Sequence, residues 1–600
     1  MTTTSKGERV TTKRGTGRGS PHFRLRVGFV LIAMVLSLFG ARLVQLQGFD
    51  PYSYAAAARK ANMVQAVLPA TRGDILDRNG EPLADSVDGL MVVADPLMTA
   101  KRAPQLAKFL SNRLDIDYFT ALRQLRGSDG SRFEYVARRI PATRAMAAVQ
   151  EAEALGYKGL TTRRDPVRNY PGGDLAANIV GFVGTDESLG GLERTFDEQL
   201  AGKDGTATYE VASGSRVPLG QSTTVAPVDG HDLKTTIDRD VQWYTNKALA
   251  QAVTSTDAES GTAIAMDTRT GEVLALSDFP TFDANHPAES PKADRGSRAL
   301  SDVYEPGSVE KVLTLSALID AGKVTNRTRL TVPNALHRQD RVIHDWFDHP
   351  TKHWTLAGVI AQSSNIGTVL AADKFDDGQL RDYLVKFGLG QRTGVGLSGE
   401  SPGILPSTSQ WNHQIQDRID FGQSVSVNAL QMITAVNAVA NGGVRVSPSI
   451  IEGAATNDAG QTVGTDRTTS ERVVSAEAAQ QMMQMMERVP DPATGTAPGA
   501  QVPGYRVAGK TGTAQRANSA CKCYDGSLTV SFAGFAPADN PRFTVYVAIQ
   551  DPKRNKGGGS LAGPVFSKVM SFLLRRYGVP PTGTRPSHLP VEWGPGRLKY

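Results

Sequence analysis

The feature that most restricts this chain is an uncharged apolar run near its start, Val27 to Ala41 (VGFVLIAMVLSLFGA). Carried on to Leu46 it gives 20 residues, about 30 Å of helix, which matches the hydrocarbon core of a bilayer. Arg42 falls near the outer end, where a long side chain reaches the headgroups. A cleaved signal peptide would place small residues around its cleavage site, and Ser37-Leu38-Phe39-Gly40-Ala41-Arg42 offers no small-x-small pair. The run therefore reads as a retained single anchor. Seven cations precede it within residues 1–26 (Lys6, Arg9, Lys13, Arg14, Arg18, Arg24 and Arg26) against one acid, Glu8. That imbalance places the N-terminus in the cytoplasm and everything after residue 47 outside. The tail, residues 1–26, is rich in Thr, Ser and Gly and is expected to be disordered.

The same tail accounts for the whole formal charge of +6, because the remainder holds 59 basic and 59 acidic residues. A neutral body exerts no long-range pull on a phosphate backbone, which argues against a nucleic-acid partner. At 600 residues the chain exceeds one compact core, so at least two folded domains are expected. Residues 48–228 mix helical and extended patterns, with helix-like apolar spacing at 104–125 and 142–155 and a turn cluster at Arg168-Asn-Tyr-Pro-Gly-Gly173. No repeat and no nucleotide-binding glycine pattern occurs there. A second unit, 229–578, opens with a strand and a helix capped by Asp238 and running to Val253. A hairpin follows (Thr262–Met266, Val273–Ser277), and three further strands come much later, at 505–515, 528–535 and 543–549. Helical stretches at 309–321, 364–374 and 429–440 fill the middle. Strands at both ends with helices between them predict an α+β unit, not a βαβ repeat. The Pro- and Gly-rich residues 579–600 are expected to form an extended tail.

Three short motifs fall in order within the second unit. Ser308-Val-Glu-Lys311 opens an apolar helix, and a spacing of three residues puts the hydroxyl and the amine on one face. Serine needs an adjacent base to act as a nucleophile, and a lysine serves if burial depresses its pKa. Ser363-Ser364-Asn365 stands at the start of a helix beginning at Ile366, where an ordinary N-cap is the plainer explanation. Lys510-Thr511-Gly512-Thr513 lies on a predicted strand, where the glycine admits close approach of another group; the plainer reading is an edge-strand lysine beside a bulge. Singly, each motif is weak. Together, S-x-x-K, S-x-N and K-T-G in this order and these contexts are the mark of penicillin-recognising serine acyltransferases.

Beyond these motifs the chain resembles the class B penicillin-binding proteins over nearly all of its length after the anchor. Thr71-Arg-Gly-Asp-Ile-Leu-Asp-Arg-Asn-Gly-Glu-Pro-Leu-Ala84 is similar to the start of that family's pedestal, or dimerisation-type, domain. Arg168–Gly173, Gly181-Phe-Val-Gly184 and Gly190-Gly-Leu-Glu193 continue the likeness. Gly422-Gln423, Ala438-Val-Ala-Asn-Gly-Gly443 and Ala508–Gln515 with Phe532–Arg542 resemble its transpeptidase domain, closer to the FtsI division type than to the elongation type. One departure is Asn428-Ala-Leu-Gln431, where the family usually has Thr-Pro-Leu-Gln.

The resemblance implies a serine beta-lactamase/transpeptidase-like fold, an antiparallel sheet flanked by helices, behind a pedestal and a single transmembrane helix. It implies a D,D-transpeptidase of septal peptidoglycan synthesis that also binds beta-lactams. Ser308 would attack the penultimate D-alanine carbonyl of a stem pentapeptide while Lys311 takes its proton. Ser363, aided by Lys510, would pass a proton to the leaving amine, and Asn365 would bind the substrate backbone. Lys510, Thr511 and Thr513 would hold the terminal carboxylate, beside Gly512. The backbone N–H groups of Ser308 and Thr513 would form the oxyanion hole. Implied partners are peptidoglycan stem peptides, beta-lactams, the bacterial cell membrane, a glycan polymerase of the FtsW type and other divisome membrane proteins.

No cofactor or metal is called for. His344, Asp345, Asp348, His349 and His353 form a polar cluster, but Pro350 argues against an i,i+4 helical ligand pair, and scattered loop histidines are commoner than a metal site. Cys521 and Cys523 could form a small strained ring, or stay as free or partner-linked thiols in a loop. Rival functions are an elongation-type transpeptidase, a D,D-carboxypeptidase, a beta-lactamase, and a non-catalytic penicillin sensor or divisome scaffold. Anchor and pedestal disfavour a secreted beta-lactamase, and a sensor would need an output domain larger than 26 residues.

Overall fold

The computed structural model describes residues 20–45 and 63–594, apart from 129, 185–186, 213–214, 218–219, 221, 340, 519–520 and 522. Residues 1–19 of the basic tail, Leu46 of the expected span, and 595–600 of the C-terminal tail lie outside the described residues. The chain divides into two compact units, Met1–Leu68 with Asp204–Pro227, and Pro69–Lys203 with Val228–Tyr600.

In the first unit, the helix Pro21–Val44 buries none of its residues, as a helix meant for lipid should. It begins at Pro21 instead of Val27, because Ser20 accepts a bond from Phe23 N and Pro21 occupies the first turn. Residues 21–26, expected to be disordered, are therefore helical. The same unit holds an antiparallel ribbon in which Gly205–Ala212 pairs with Met63–Leu68 and with Ser222–Val225.

The second unit has two apolar cores. The smaller is built on strands Gly89–Ala94, Glu134–Pro141 and Leu160–Arg164, all antiparallel. Three helices pack onto it with Leu106, Leu110, Leu125 and Ala145. The helix expected over 104–125 is broken in two, since Asp115 takes a left-handed conformation (φ 57°) and Asp117 caps a second helix at Tyr118. Beside Leu192 of the larger core, the carboxylate of Glu193 is fully buried. Arg72 Nε donates to one of its oxygens at 2.6 Å, and Arg168 Nε at 2.6 Å and the Tyr170 hydroxyl at 3.3 Å donate to the other. Two motifs thus converge on the carboxylate of a third.

The larger core carries the site. Helix α1 (Arg239–Ser255) starts at Asp238, which accepts from the N–H groups of Asp240 and Val241. Strands β1 (Ser260–Asp267) and β2 (Val273–Phe279) form the expected hairpin. Then come α2 (Lys311–Asp320), α3 (Leu356–Gln362), α4 (Asn365–Ala372) and α5 (Ala429–Ala440). Strands β3 (Ala508–Asn518), β4 (Cys523–Ala536) and β5 (Phe543–Gln550) are followed by α6 (Gly563–Arg576). The sheet runs β2-β1-β5-β4-β3 with every pair antiparallel. All eight residues of β1 are buried, so the sheet is covered on both faces. Tyr244 of α1 stacks on Phe572 of α6 with ring centres 4.5 Å apart. At the departure from the family pattern, Asn428 caps α5 and forms a capping box with Gln431. The β3–β4 hairpin is longer than expected, pairing as far as Asn518 and Cys523, and Cys521 is bonded to Cys523 at its tip. The segment after α6 is extended and pinned: Thr355 N donates to Val591 O at 3.0 Å, and Leu589 and Val591 are buried.

Candidate active site

Ser308 lies in a 3₁₀ turn, Gly307–Val309, and α2 begins only at Lys311. Its position at the opening of an α-helix is thus corrected to the tighter turn before one, in which residues i and i+3 eclipse. Gly307 makes the turn possible. Its φ is +55°, and a Cβ there would lie 2.7 Å from Thr513 O.

Lys311 is fully buried. Its Nζ donates to Ser363 O and to Asn365 Oδ1, both at 2.7 Å. An ammonium has three N–H bonds, so these two acceptors leave one position on the nitrogen open. Burial lowers its pKa to about 7, against the opposing pull of the Asp345 and Glu310 carboxylates.

Between α3 and α4, Ser363 takes a left-handed conformation (φ 59°). Helix α4 starts at Asn365 rather than Ile366, and its cap is Ser364, whose Oγ accepts from Gly367 N at 2.8 Å. The plain N-cap explanation therefore holds for Ser364 and leaves Ser363 free for other work. Lys510 Nζ donates to Ser363 Oγ at 2.8 Å and to the Thr511 carbonyl and hydroxyl at 3.0 and 3.1 Å. Burial and the charge of Lys311 push the Lys510 pKa well below its ordinary value. Two ammonium groups sharing a dry site repel, so the arrangement favours at least one neutral amine.

Strand β3 is the edge strand of the sheet, and Lys510 to Thr513 run along it. Gly512 is required there, since a Cβ would meet Ser531 Oγ at 2.2 Å and Pro306 O at 3.0 Å. This glycine lets the strand seat against the turn that carries Ser308. Ser308, Ser363, Asn365, Thr511 and Thr513 all line one cleft of about 400 Å³. Lys311 and Lys510 join these residues through their bonds to Ser363 and Asn365, and Gly512 lies between Thr511 and Thr513 on β3, so the eight residues expected from the motifs are brought together. Trp346, Phe421, Thr496 and the segment Lys556-Gly-Gly-Gly-Ser560, which enters a π-helical turn at Gly558, also line the cleft. Motif reasoning did not find them. Three consecutive glycines were the only sequence signal, and Gly558 leaves no room for a Cβ, which would lie 2.5 Å from Gly512 O.

Within the polar cluster at 344–353, three side chains make contacts inside the protein. Asp345 and His349 pair at 3.0 Å with both side chains buried, and the His353 ring lies 4.6 Å from that of Trp593. Among the described residues no group of His, Cys, Asp or Glu is arranged to hold a metal.

Residues 261–571 match the model for the penicillin-binding protein transpeptidase domain, and residues 67–235 match that for the penicillin-binding protein dimerisation domain. The chain belongs to the class B penicillin-binding proteins. It is 36% identical over 597 residues to penicillin-binding protein PbpB of Mycolicibacterium smegmatis, covering 93% of this chain and 91% of the relative. Peptidoglycan D,D-transpeptidase FtsI of Escherichia coli is 30% identical over 566 residues, with 93% and 92% covered. Among solved structures, penicillin-binding protein 3 of Mycobacterium tuberculosis in complex with aztreonam is 33% identical at a TM-score of 0.68, covering 88% of this chain and 100% of that one. The mixed α/β transpeptidase domain, the dimerisation domain ahead of it and the N-terminal apolar helix, which fits a single-pass anchor, agree with membership of this family.

Proposed function

We propose that this class B penicillin-binding protein is a serine D,D-transpeptidase that cross-links peptidoglycan stem peptides at the division septum. The observation that carries the reading is the chain of contacts behind the cleft. Lys311 is bonded to Ser363 O and Asn365 Oδ1, and Lys510 to Ser363 Oγ, with both amines depressed by burial. In the first half-reaction neutral Lys311 takes the Ser308 proton as Oγ attacks the penultimate D-alanine carbonyl. The oxyanion is met by the N–H groups of Ser308 and Thr513, each worth about 100- to 1000-fold in rate. The C–N bond then breaks, the departing D-alanine amine takes a proton through Ser363 and Lys510, and an ester remains on Ser308. In the second half-reaction an amine of a neighbouring stem peptide attacks that ester, forming the cross-link and restoring the hydroxyl.

The free edge of β3 suits a substrate that adds as a further strand, main chain to main chain, with its terminal carboxylate at Lys510, Thr511 and Thr513. A beta-lactam acylates the same serine. The cations ahead of the apolar helix support an orientation with the N-terminus in the cytoplasm and the site outside. A glycan polymerase of the FtsW type and other divisome membrane proteins supply and position the strands. The test is incubation of full-length enzyme with a pentapeptide donor and an amine acceptor. A cross-linked product that is absent with Ser308→Ala supports the reading. Release of D-alanine with only the hydrolysed tetrapeptide would make the enzyme a carboxypeptidase.

A further inference from the structure

Asp345 belongs to none of the three motifs, yet it holds one of them. It follows directly after the strand Val342–His344, and its side chain is fully buried. One oxygen accepts from Asn365 N at 2.6 Å and Ile366 N at 3.0 Å. The other accepts from Ser364 Oγ at 2.7 Å and faces His349 Nε2 at 3.0 Å. A carboxylate at a helix N-terminus is favoured by the dipole and the exposed N–H groups, and here every lone-pair direction is used. Immediately beside it, His344 O accepts from Asn365 Nδ2 at 2.9 Å. The Asn365 amide is thereby oriented with its nitrogen to His344 and its oxygen to Lys311 Nζ.

We propose that Asp345 is a positioning residue for this site, capping α4 so that the Asn365 amide is fixed against Lys311 and supplying an anion that faces the lysine amine. The proposal rests on the assignment of Ser308 as nucleophile and Lys311 as its base. The charged groups around Lys311 are Asp345 from the loop before α3, Glu310 from its own turn and Lys510 from β3. Glu310 is held well above the usual carboxylate range by burial. Of the two carboxylates, Asp345 acts more strongly on the Lys311 amine. Removing it leaves Lys311 easier to deprotonate, and so a weaker base.

The experiment is the rate of acylation of full-length enzyme by a fluorescent penicillin between pH 5.5 and 9, for wild type, Asp345→Asn and Ser308→Ala. Asparagine keeps an oxygen for the two backbone N–H groups and loses the charge. The expected result is a lower plateau and an acidic limb moved to lower pH. For a limb moved by one unit, the ratio of rates at pH 8 and pH 6 falls from about tenfold to about twofold. An equal loss at every pH, with the ratio unchanged, would reduce Asp345 to a structural cap and overturn the proposal. Labelling that survives in Ser308→Ala would instead overturn the underlying assignment. If Asp345→Asn does not fold, Asp345→Ser, another neutral capping residue, is read in the same way.

Discussion

If neutral Lys311 is the base, acylation in the wild type must follow its titration. Burial brings the amine to about 7, so roughly 9% is neutral at pH 6 and 91% at pH 8. The second-order rate constant for acylation should rise about tenfold between those values and level off above pH 8. The direction is fixed by the cause. Desolvation disfavours the ammonium, the neutral form is the reactive one, and activity is lost as pH falls through the limb. The assay is time-resolved labelling of detergent-solubilised full-length enzyme with a penicillin that does not itself titrate in this range. A flat profile from pH 6 to 8 would refute the role of Lys311. A limb near 10.5, the ordinary value for a lysine, would refute the claim that burial tunes it.

Two further outcomes follow from the buried charges. Glu193→Ala leaves Arg72 and Arg168 without the carboxylate that holds both, and should cost about 3–5 kcal/mol; an unchanged thermal midpoint would contradict this. Asp278 is fully buried and held up at about 6 by desolvation, although Thr262, Ser297 and Ala299 N all donate to it. A raised carboxyl binds its proton more tightly in the folded state, so its contribution to stability falls as pH rises from about 4 to about 6. Asp278→Asn should therefore gain up to about 3 kcal/mol at pH 7.5 and little at pH 4, as read by unfolding at both pH values; a loss at pH 7.5 would contradict it.

Much of the site was legible because its parts are short local patterns. Ser308 and Lys311 sit one turn apart, and Lys510 to Thr513 share one strand, so sequence spacing alone places them. The α+β frame was legible for a similar reason, since β1, β2, β4 and β5 are runs of apolar residues that need two covered faces. What eluded the sequence is contact at long range. Asp345 reaches α4 across 20 residues of chain, and its 344–353 neighbourhood looks like scattered polar residues until the fold brings it to Asn365. The meeting of Arg72, Arg168 and Glu193 spans 121 residues, and no periodicity encodes it. Helix α6 was passed over although Val565, Phe566, Val569, Met570, Leu573 and Leu574 fall at helical spacing, because the Gly-rich stretch before it resembles a loop. The helix start at Pro21 was masked by the polar composition of the tail around it.

The central claim is that Ser308 is the acylated residue, and the most direct measurement is intact-protein and peptide mass spectrometry after brief exposure to a penicillin. The account predicts one added penicillin per chain, located on the peptide containing Ser308 and absent from Ser308→Ala. An adduct on another residue, or none on folded full-length protein, would contradict it.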